Sequence, residues 1–206
     1  MLPERFLNYV FRDRVRLIEK MASGSASPDL LIQFTRHTPA VITCGPAGVN
    51  GSIKGIGFVH KPEYLSSTLS ILREELKRPF DPRRALSILR NVVYVEEKVD
   101  FRYLSSLELA RRHTWANVRD RPEATLLFFT PPETSFEVRC RVSIHESGEY
   151  WEFVNAVHDL FHRPPRGRDW SRTPAYLFEI VEIYDNSPSR MGERIYPVSY
   201  THLTLP

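Results

Sequence analysis

The amino-acid sequence predicts a mainly β, α+β fold in which helices connect several antiparallel strands. Apolar and polar residues alternate along residues 136–145, as expected for a strand with one buried face. Leucines recur at steps of four, three and four from Leu65 to Leu76, as expected for a helix. The sequence contains no internal repeat or low-complexity tract. Together these observations favour an α+β architecture or a barrel with helices.

The composition is that of a globular protein with one domain or two small ones. The chain has 206 residues, of which 42% are hydrophobic and 26% charged. A chain of this size buries roughly 70% of the surface that it exposes when unfolded. Its net charge of +3 is too small to indicate nucleic-acid binding. Residues 1–20 contain no apolar run of signal-peptide or membrane-spanning length, which argues against secretion and against a membrane span.

The metal-ligating residue types are too dispersed to predict a metal site. Cys44 and Cys140 have no close cysteine or histidine neighbours at zinc-finger spacing, so we expect both to be reduced core thiols of a cytoplasmic protein. His158 and His162 are four residues apart on a predicted helix and could share one metal. No third ligand is apparent beside them, and we predict no metal.

The first part of the chain predicts two helices followed by two strands. An amphipathic helix over 3–21 ends near Gly24. A second, short helix begins at Ser27 and Pro28, a cap residue followed by proline in the first turn, and continues through LLIQFTRH. Residues 39–44 and 52–59 then form two strands joined by the glycine-rich turn GPAGVNG.

The middle of the chain predicts a helical insertion, a strand and a further helix. The insertion covers about 61–90. A second, short helix begins within it at Asp81-Pro82. Residues 91–100, NVVYVEEKVD, indicate a strand. Ser105 and Glu108 form an S-x-x-E capping box, which predicts a helix that ends near Val118.

The last part predicts three strands and one helix. The strands cover 124–129, 136–145 and 176–185. A helix begins at Gly148, and a basic, proline-containing loop follows over 163–174. Trp170 lies in that loop, and it is the one tryptophan that we consider for stacking on a ligand.

The order of these motifs resembles the pyridoxamine 5'-phosphate oxidase-like family of FMN-binding split barrels. The motifs are PAVITC-turn-SIKGIGFV, ANVRDRPEATLLFF, FEVRCRVSI, RPPRGRDW and EIVEIYDNSPSRMGERIY. The similarity spans about residues 28–196 and is strongest over 115–196. It implies a split β-barrel with a helical insertion after the second strand.

The resemblance also implies which residues contact the flavin phosphate. Lys54 lies where the family has a basic residue near that phosphate. Arg112, His113 and Thr114 lie where the family has Ser-Arg-Lys at the start of a helix. Donors and a hydroxyl beside a helix terminus can hold a phosphate dianion.

The remaining implied site residues belong to the flavin ring and the substrate. Glu137 lies where the family often has a glutamine that contacts the flavin, and Tyr184 replaces the usual tryptophan. Arg190 and Arg194 match the two arginines of the motif R-L-H-D-R, and Arg190 is the residue implied to act on an anionic substrate. Met191-Gly192-Glu193 replaces Leu-His-Asp, and the loss of this histidine argues against pyridoxamine phosphate as the substrate.

The resemblance implies an FMN-dependent oxidoreductase that works as a cytoplasmic homodimer with the flavin at the subunit interface. Its substrate is a small, anionic molecule that the sequence does not identify. One alternative is a split barrel without catalysis that serves as a ligand-binding or regulatory module. Another is a relative that binds a deazaflavin or haem.

Three segments are expected: an N-terminal helix over 1–27, the split-barrel domain over 28–196, and a tail over 197–206. The tail, PVSYTHLTLP, resembles a translated sequencing adapter, so we expect a non-native end. A genuine terminal strand is the alternative, because SYTHLTL has β-propensity.

Overall fold

The fold was analysed in a computed structural model, which describes residues 1–25, 30–162 and 168–197. Within these residues the helices and helical turns, in chain order, are α1 (Glu4–Leu7), a π-helical turn (Asn8–Arg12), α2 (Asp13–Ala22), α3 (Leu30–Phe34), a 3-10 turn (Thr35–His37), α4 (Pro62–Leu76), α5 (Pro82–Ile88), a π-helical turn (Leu89–Val93), α6 (His113–Asp120), α7 (Gly148–Phe161) and a 3-10 turn (Trp170–Arg172). The strands are β1 (Ala40–Gly45), β2 (Gly48–Ile53), β3 (Tyr103–Leu107), β4 (Glu123–Thr130), β5 (Thr134–His145), β6 (Ala175–Asp185) and β7 (Glu193–Tyr196).

The strands form one antiparallel sheet in the order β2-β1-β4-β5-β6-β3, and β7 pairs with β6. The chain that follows β2 connects the two ends of this sheet. Gly57 and Ser105 of β3 exchange two backbone hydrogen bonds, at 2.7 and 2.9 Å. The sheet therefore curves into an open, split barrel, which confirms the predicted fold class.

Two apolar clusters hold the barrel and its helices together. The first fills the barrel, where Phe6 of α1 packs edge-on against Phe128 of β4 and Phe136 of β5. The second lies between the helices and β3 and β6, and it includes Leu69 of α4 and Phe153 of α7. The helical insertion predicted over 61–90 is confirmed, and its leucine stripe packs inside the second cluster.

The predicted strand over 91–100 is wrong. Helix α5 continues through the π-helical turn, and the backbone N–H of Tyr94 donates to the carbonyl of Leu89 at 2.7 Å. Only Val99 forms a strand-like bridge, with His60. A short valine-rich run suits any buried segment, so its composition does not separate a strand from a helical turn.

The predicted helix start at Ser105 is also wrong, because Ser105 belongs to β3 and α6 begins eight residues later, at His113. The hydroxyl of Ser105 donates to the carbonyl of Phe58, so it caps no helix. The predicted second strand over 52–59 is shifted: β2 ends at Ile53, and the chain then leaves β1 for β3.

The two cysteines differ in exposure. Cys140 is buried, as expected, and burial raises the pKa of its thiol. Cys44 is exposed on β1, so its assignment to the core is wrong. Strand β1 alternates between a buried and an outward face, and Cys44 lies on the outward one.

Within the described residues, no helix combines the length and the apolar character that a membrane crossing requires. The predicted tail over 197–206 lies outside the described residues apart from Pro197, as does the predicted helix start at Ser27 and Pro28.

Candidate phosphate and ring sites

Lys54 lies just beyond β2 and contacts a buried carboxylate. Its Nζ atom is 3.2 Å from Oε2 of Glu108, a residue that is 2% exposed. The Tyr176 hydroxyl donates to the same oxygen at 2.8 Å. The backbone N–H groups of Ala110 and Arg111 donate to Oε1 at 2.8 and 2.7 Å. Glu108 therefore binds four donors from three separate parts of the fold.

These donors explain the ionisation of Glu108 and Tyr176. Burial alone would raise the pKa of the Glu108 carboxyl, but Lys54, the two backbone N–H groups and Tyr176 outweigh it and lower that pKa. Burial and the adjacent carboxylate raise the pKa of Tyr176. Glu108 is thus ionised and Tyr176 neutral at pH 7.

Thr114 lies in the first turn of α6 and contacts β2. Its hydroxyl is 3.0 Å from the Asn50 side-chain nitrogen and 3.1 Å from the Ser52 hydroxyl. Asn50 and Ser52 face the same way, because alternate residues of a strand share a face. Asn117, one turn further along α6, donates to the carbonyl of Gly48 at 2.8 Å. Helix α6 is therefore fastened to the β1–β2 hairpin by polar contacts.

Arg112 and His113 lie at the exposed start of α6. No side chain caps this helix terminus. Within the part of the chain that the structure describes, their side chains form no hydrogen bond or ion pair. Two exposed donor side chains thus stand beside a helix N-terminus whose N–H groups and dipole favour an anion.

Glu137 and Tyr184 pair across β5 and β6, and two residues that the sequence analysis missed join them. Arg139 donates to Glu137 at 2.8 Å and to Glu182 at 3.2 Å. Its guanidinium carbon lies 4.6 Å from the centre of the Tyr184 ring. Arg194 of β7 reaches Glu182 at 3.5 Å. These five residues form one charged cluster on the outer face of the barrel, which we call the outer cluster.

Arg190 lies in the turn between β6 and β7, beside this cluster but outside its hydrogen-bond network. Its guanidinium is half exposed and contacts Glu193 at 2.7 Å. Glu193 is one of the residues that replace Leu-His-Asp in the family motif. The predicted catalytic arginine is therefore paired with the carboxylate that stands where the family motif has its aspartate.

The predicted site residues fall into two groups on opposite faces of the sheet. Ser52 pairs with the buried Val41, so the β2 residues that contact Thr114 lie on the core face. Glu137 alternates with the buried Val138 and lies on the outer face. Strands β2 and β5 are three strand spacings apart, or about 14 Å. One protomer does not bring the two groups together.

His158 and Trp170 take structural roles around Asp159. The carboxylate of Asp159 accepts from His158 at 3.0 Å, from Arg168 at 2.9 Å and from the Trp170 indole at 2.6 Å. The His158 and His162 rings lie 5.1 Å apart. In the described ranges, no group of three or more His, Cys, Asp or Glu side chains could hold a metal ion.

A cavity of about 300 Å³ lies apart from both groups, between α2, α7 and the chain at 55–58 and 105–107. None of the predicted site residues lines it. Its walls are mostly apolar, and its polar lining includes Arg14, His37 and His158. This cavity has no signature in the sequence, because its lining residues come from segments far apart in the chain.

Comparison with known proteins gives similarity to solved structures only. Neither protein-family models nor curated protein sequences match the chain. HupZ from Group A Streptococcus is 11% identical, with 78% of this chain and 91% of that chain covered and a TM-score of 0.46. An FMN-binding protein from Syntrophomonas wolfei is 14% identical, with 85% and 89% covered and a TM-score of 0.44. A pyridoxamine 5'-phosphate oxidase-related, FMN-binding protein from Nostoc punctiforme is 12% identical, with 80% and 88% covered and a TM-score of 0.41.

Proposed function

We propose that this chain binds FMN, with the phosphate at the start of α6, and that it is a flavin-dependent oxidoreductase. The observation that carries the proposal is the N-terminus of α6, where the described residues provide no side-chain cap and no hydrogen-bond or ion-pair partner for the side chains of Arg112 and His113. A guanidinium and backbone N–H groups at a helix start suit a phosphate dianion. The donor set therefore fits the phosphate that the sequence motifs imply.

Lys54 has an indirect role in this proposal. Its ammonium is 3.2 Å from Glu108, whose carboxylate holds the backbone of Ala110 and Arg111. We propose that Lys54 and Glu108 fix the turn that leads into α6, and so fix the position of Arg112. Thr114, tied to β2, anchors the first turn of the helix from the other side.

The ring of the flavin would be contacted by the outer cluster of a second copy of the chain. Glu137, Tyr184 and Arg194 lie on the face opposite to the phosphate donors, so one flavin that touches both groups requires two protomers. The outer face also carries exposed apolar residues that a second copy would cover. They are Val49, Ile53, Leu127 and Phe129. We therefore propose a cytoplasmic homodimer.

When bound, FMN would supply the redox chemistry, and the protein would bind and orient the reactants. Arg190 would attract an anionic substrate from its exposed position near the outer cluster. Its partner Glu193 would have to release the guanidinium when the substrate binds. Breaking this ion pair costs little free energy, because both side chains are about half exposed and exposed ion pairs contribute little stability.

The test is a titration of the purified, full-length protein with FMN, followed by flavin fluorescence and visible absorbance. Binding of FMN by the wild type, with about tenfold or greater weakening in Arg112→Met, supports the proposal, since a charge-assisted contact to phosphate is lost. Arg121→Met is the matched control, because Arg121 follows the other end of α6 and pairs with Glu123. Absence of FMN binding, or equal binding by both variants, would contradict the proposal.

A non-catalytic split barrel is a second candidate, and Glu108 favours it. This carboxylate already neutralises the charge of Lys54 and accepts two backbone N–H groups near the proposed phosphate site, so these donors are engaged without a phosphate. A protein that fails to bind FMN, yet forms a stable dimer and is stabilised by another small molecule, would support this candidate.

A further inference from the structure

Arg14 of α2 is a buried cation that lines the cavity between α2 and α7. Its residue exposure is 5%. Its guanidinium donates to Nδ1 of His37, to the hydroxyl of Tyr94 at 3.0 Å and to the carbonyl of Ile56 at 2.6 Å. All three acceptors are uncharged. Within residues 1–25, 30–162 and 168–197, no carboxylate forms an ion pair with Arg14.

His37 does not supply the missing negative charge, and it adds no positive one. Its Nδ1 atom accepts a hydrogen bond from Arg14, which requires a free lone pair and hence a neutral ring. Burial, together with the charges of Arg14 and Arg36, lowers the pKa of His37 to about 2. The guanidinium of Arg14 is therefore the one charge in this pair of side chains.

The guanidinium of Arg14 retains N–H donors that form no hydrogen bond to the described residues. A guanidinium has five N–H groups, and the three hydrogen bonds of Arg14 leave one on each terminal nitrogen. Two parallel N–H groups on adjacent nitrogens match the two oxygens of a carboxylate. The rings of Phe58 and Tyr94, each 5.6 Å from the guanidinium carbon, offset only part of the loss of hydration.

The cavity beside Arg14 has room for a small organic molecule. Its volume of about 300 Å³ lies at the lower end for ligand pockets. Its walls include Leu17 and Ile18 of α2, Leu107 of β3, and Val157 and Phe161 of α7. A mostly apolar pocket lined by a buried cation that no carboxylate among the described residues neutralises has the chemistry of a site for an anion with an apolar body.

We propose that this cavity binds a small monocarboxylate, with its carboxylate on Arg14 and its aromatic or branched aliphatic body between α2 and α7. A carboxylate is favoured over a phosphate because two N–H groups and one positive charge match it, and the other walls are mostly apolar. This site is distinct from the proposed flavin site, and the proposal does not depend on FMN.

The experiment compares phenylacetate with phenylacetamide by titration calorimetry of the full-length protein at pH 7. The two probes share an apolar body and differ in charge. We expect phenylacetate to bind about tenfold or more tightly than the amide, the effect of one charge-assisted contact. Arg14→Met should abolish the preference. Arg16→Met, on the same helix but with an exposed side chain, should retain it.

A second variant keeps the test decisive if Arg14→Met does not fold. Val157→Trp on α7 narrows the cavity, and it should weaken the binding of both probes while Arg14 remains. The proposal is overturned if neither probe binds the wild type, if the two bind equally, or if Arg14→Met keeps the preference for phenylacetate.

Discussion

The carboxylate of Glu108 lies 3.2 Å from the ammonium of Lys54, and both side chains are largely buried. Removing one member of a buried ion pair leaves an uncompensated charge, which destabilises a protein by about 3–5 kcal/mol. Loss of the Glu108 carboxylate would also remove the acceptor of the Ala110 and Arg111 backbone N–H groups, which lie in the turn before α6. The ion pair between Lys54 and Glu108 therefore contributes both to the stability of the barrel and to the conformation of the candidate phosphate site.

Glu108→Gln should reduce the free energy of unfolding at pH 7 by roughly 3 kcal/mol. Since the folded-state pKa of Glu108 is lowered, its stabilising effect is full above the unfolded-state pKa of about 4.3 and is lost as pH falls below it. Urea unfolding between pH 7 and pH 3.5 should thus show a shallower acid loss in the variant. Glu146→Gln, at an exposed ion pair, is the control. Parallel pH profiles for wild type and Glu108→Gln would refute the prediction.

Gly45→Ala should destabilise the protein by about 1–3 kcal/mol, the usual effect of overpacking. A Cβ atom at Gly45 would lie 2.9 Å from the Cα atom of Asn117 in α6, and a backbone atom of a helix cannot easily move. Gly51→Ala is the matched control, because nothing lies within 4 Å of its Cβ position. Thermal unfolding of both variants provides the comparison. Equal melting temperatures would show that α6 does not press on β1.

The longer helices and strands were predictable because the apolar residues of each recur at a single regular spacing, every second residue in a strand or every three to four residues in a helix. Strand β5 alternates strictly, and α4 and α7 carry apolar stripes at helical spacing. The wrong secondary-structure predictions concern short segments whose conformation depends on contacts with residues far away in the chain. The S-x-x-E pattern is present, but it caps no helix. The Glu108 carboxylate accepts backbone N–H groups of a turn, and Ser105 is a residue of β3 that pairs with Leu177 of β6. Local pattern alone does not distinguish these outcomes.

The candidate site was predictable only as a set of residue types. The motifs placed Arg112, Thr114 and Tyr184 near a flavin, but they carried no information on the face of the sheet that each residue occupies. The contact between Lys54 and Glu108 joins residues 54 positions apart. Arg14 carries no sequence signal, because an arginine on an amphipathic helix is ordinarily exposed.

The pH dependence of stability above pH 5 should include a contribution from His37. Its folded-state pKa is about 2, so the stability that it contributes is full above the unfolded-state pKa of about 6.5 and declines as pH falls. The decline is at most about 1.4 kcal/mol per pH unit. His37→Gln should therefore flatten the profile between pH 7 and pH 5. Burial also lowers the pKa of His60, so some slope remains. His113→Gln, at an exposed position, is the control variant.

The outer face of β2 and β4 supports a prediction about assembly. Val49 is 79% exposed and Phe129 is 53% exposed, and both lie on the face opposite to the barrel core. If a second copy covers this face, Val49→Glu and Phe129→Glu should convert a dimer to a monomer without loss of folding, since a buried, unpaired charge would oppose association. Ile71→Glu is the matched control, because Ile71 is 43% exposed on α4, away from this face. Sedimentation velocity measures the outcome. A wild type that is monomeric, or variants that remain dimeric, would show that this face is not the dimer interface, and a flavin site shared between two protomers would then lose its structural basis.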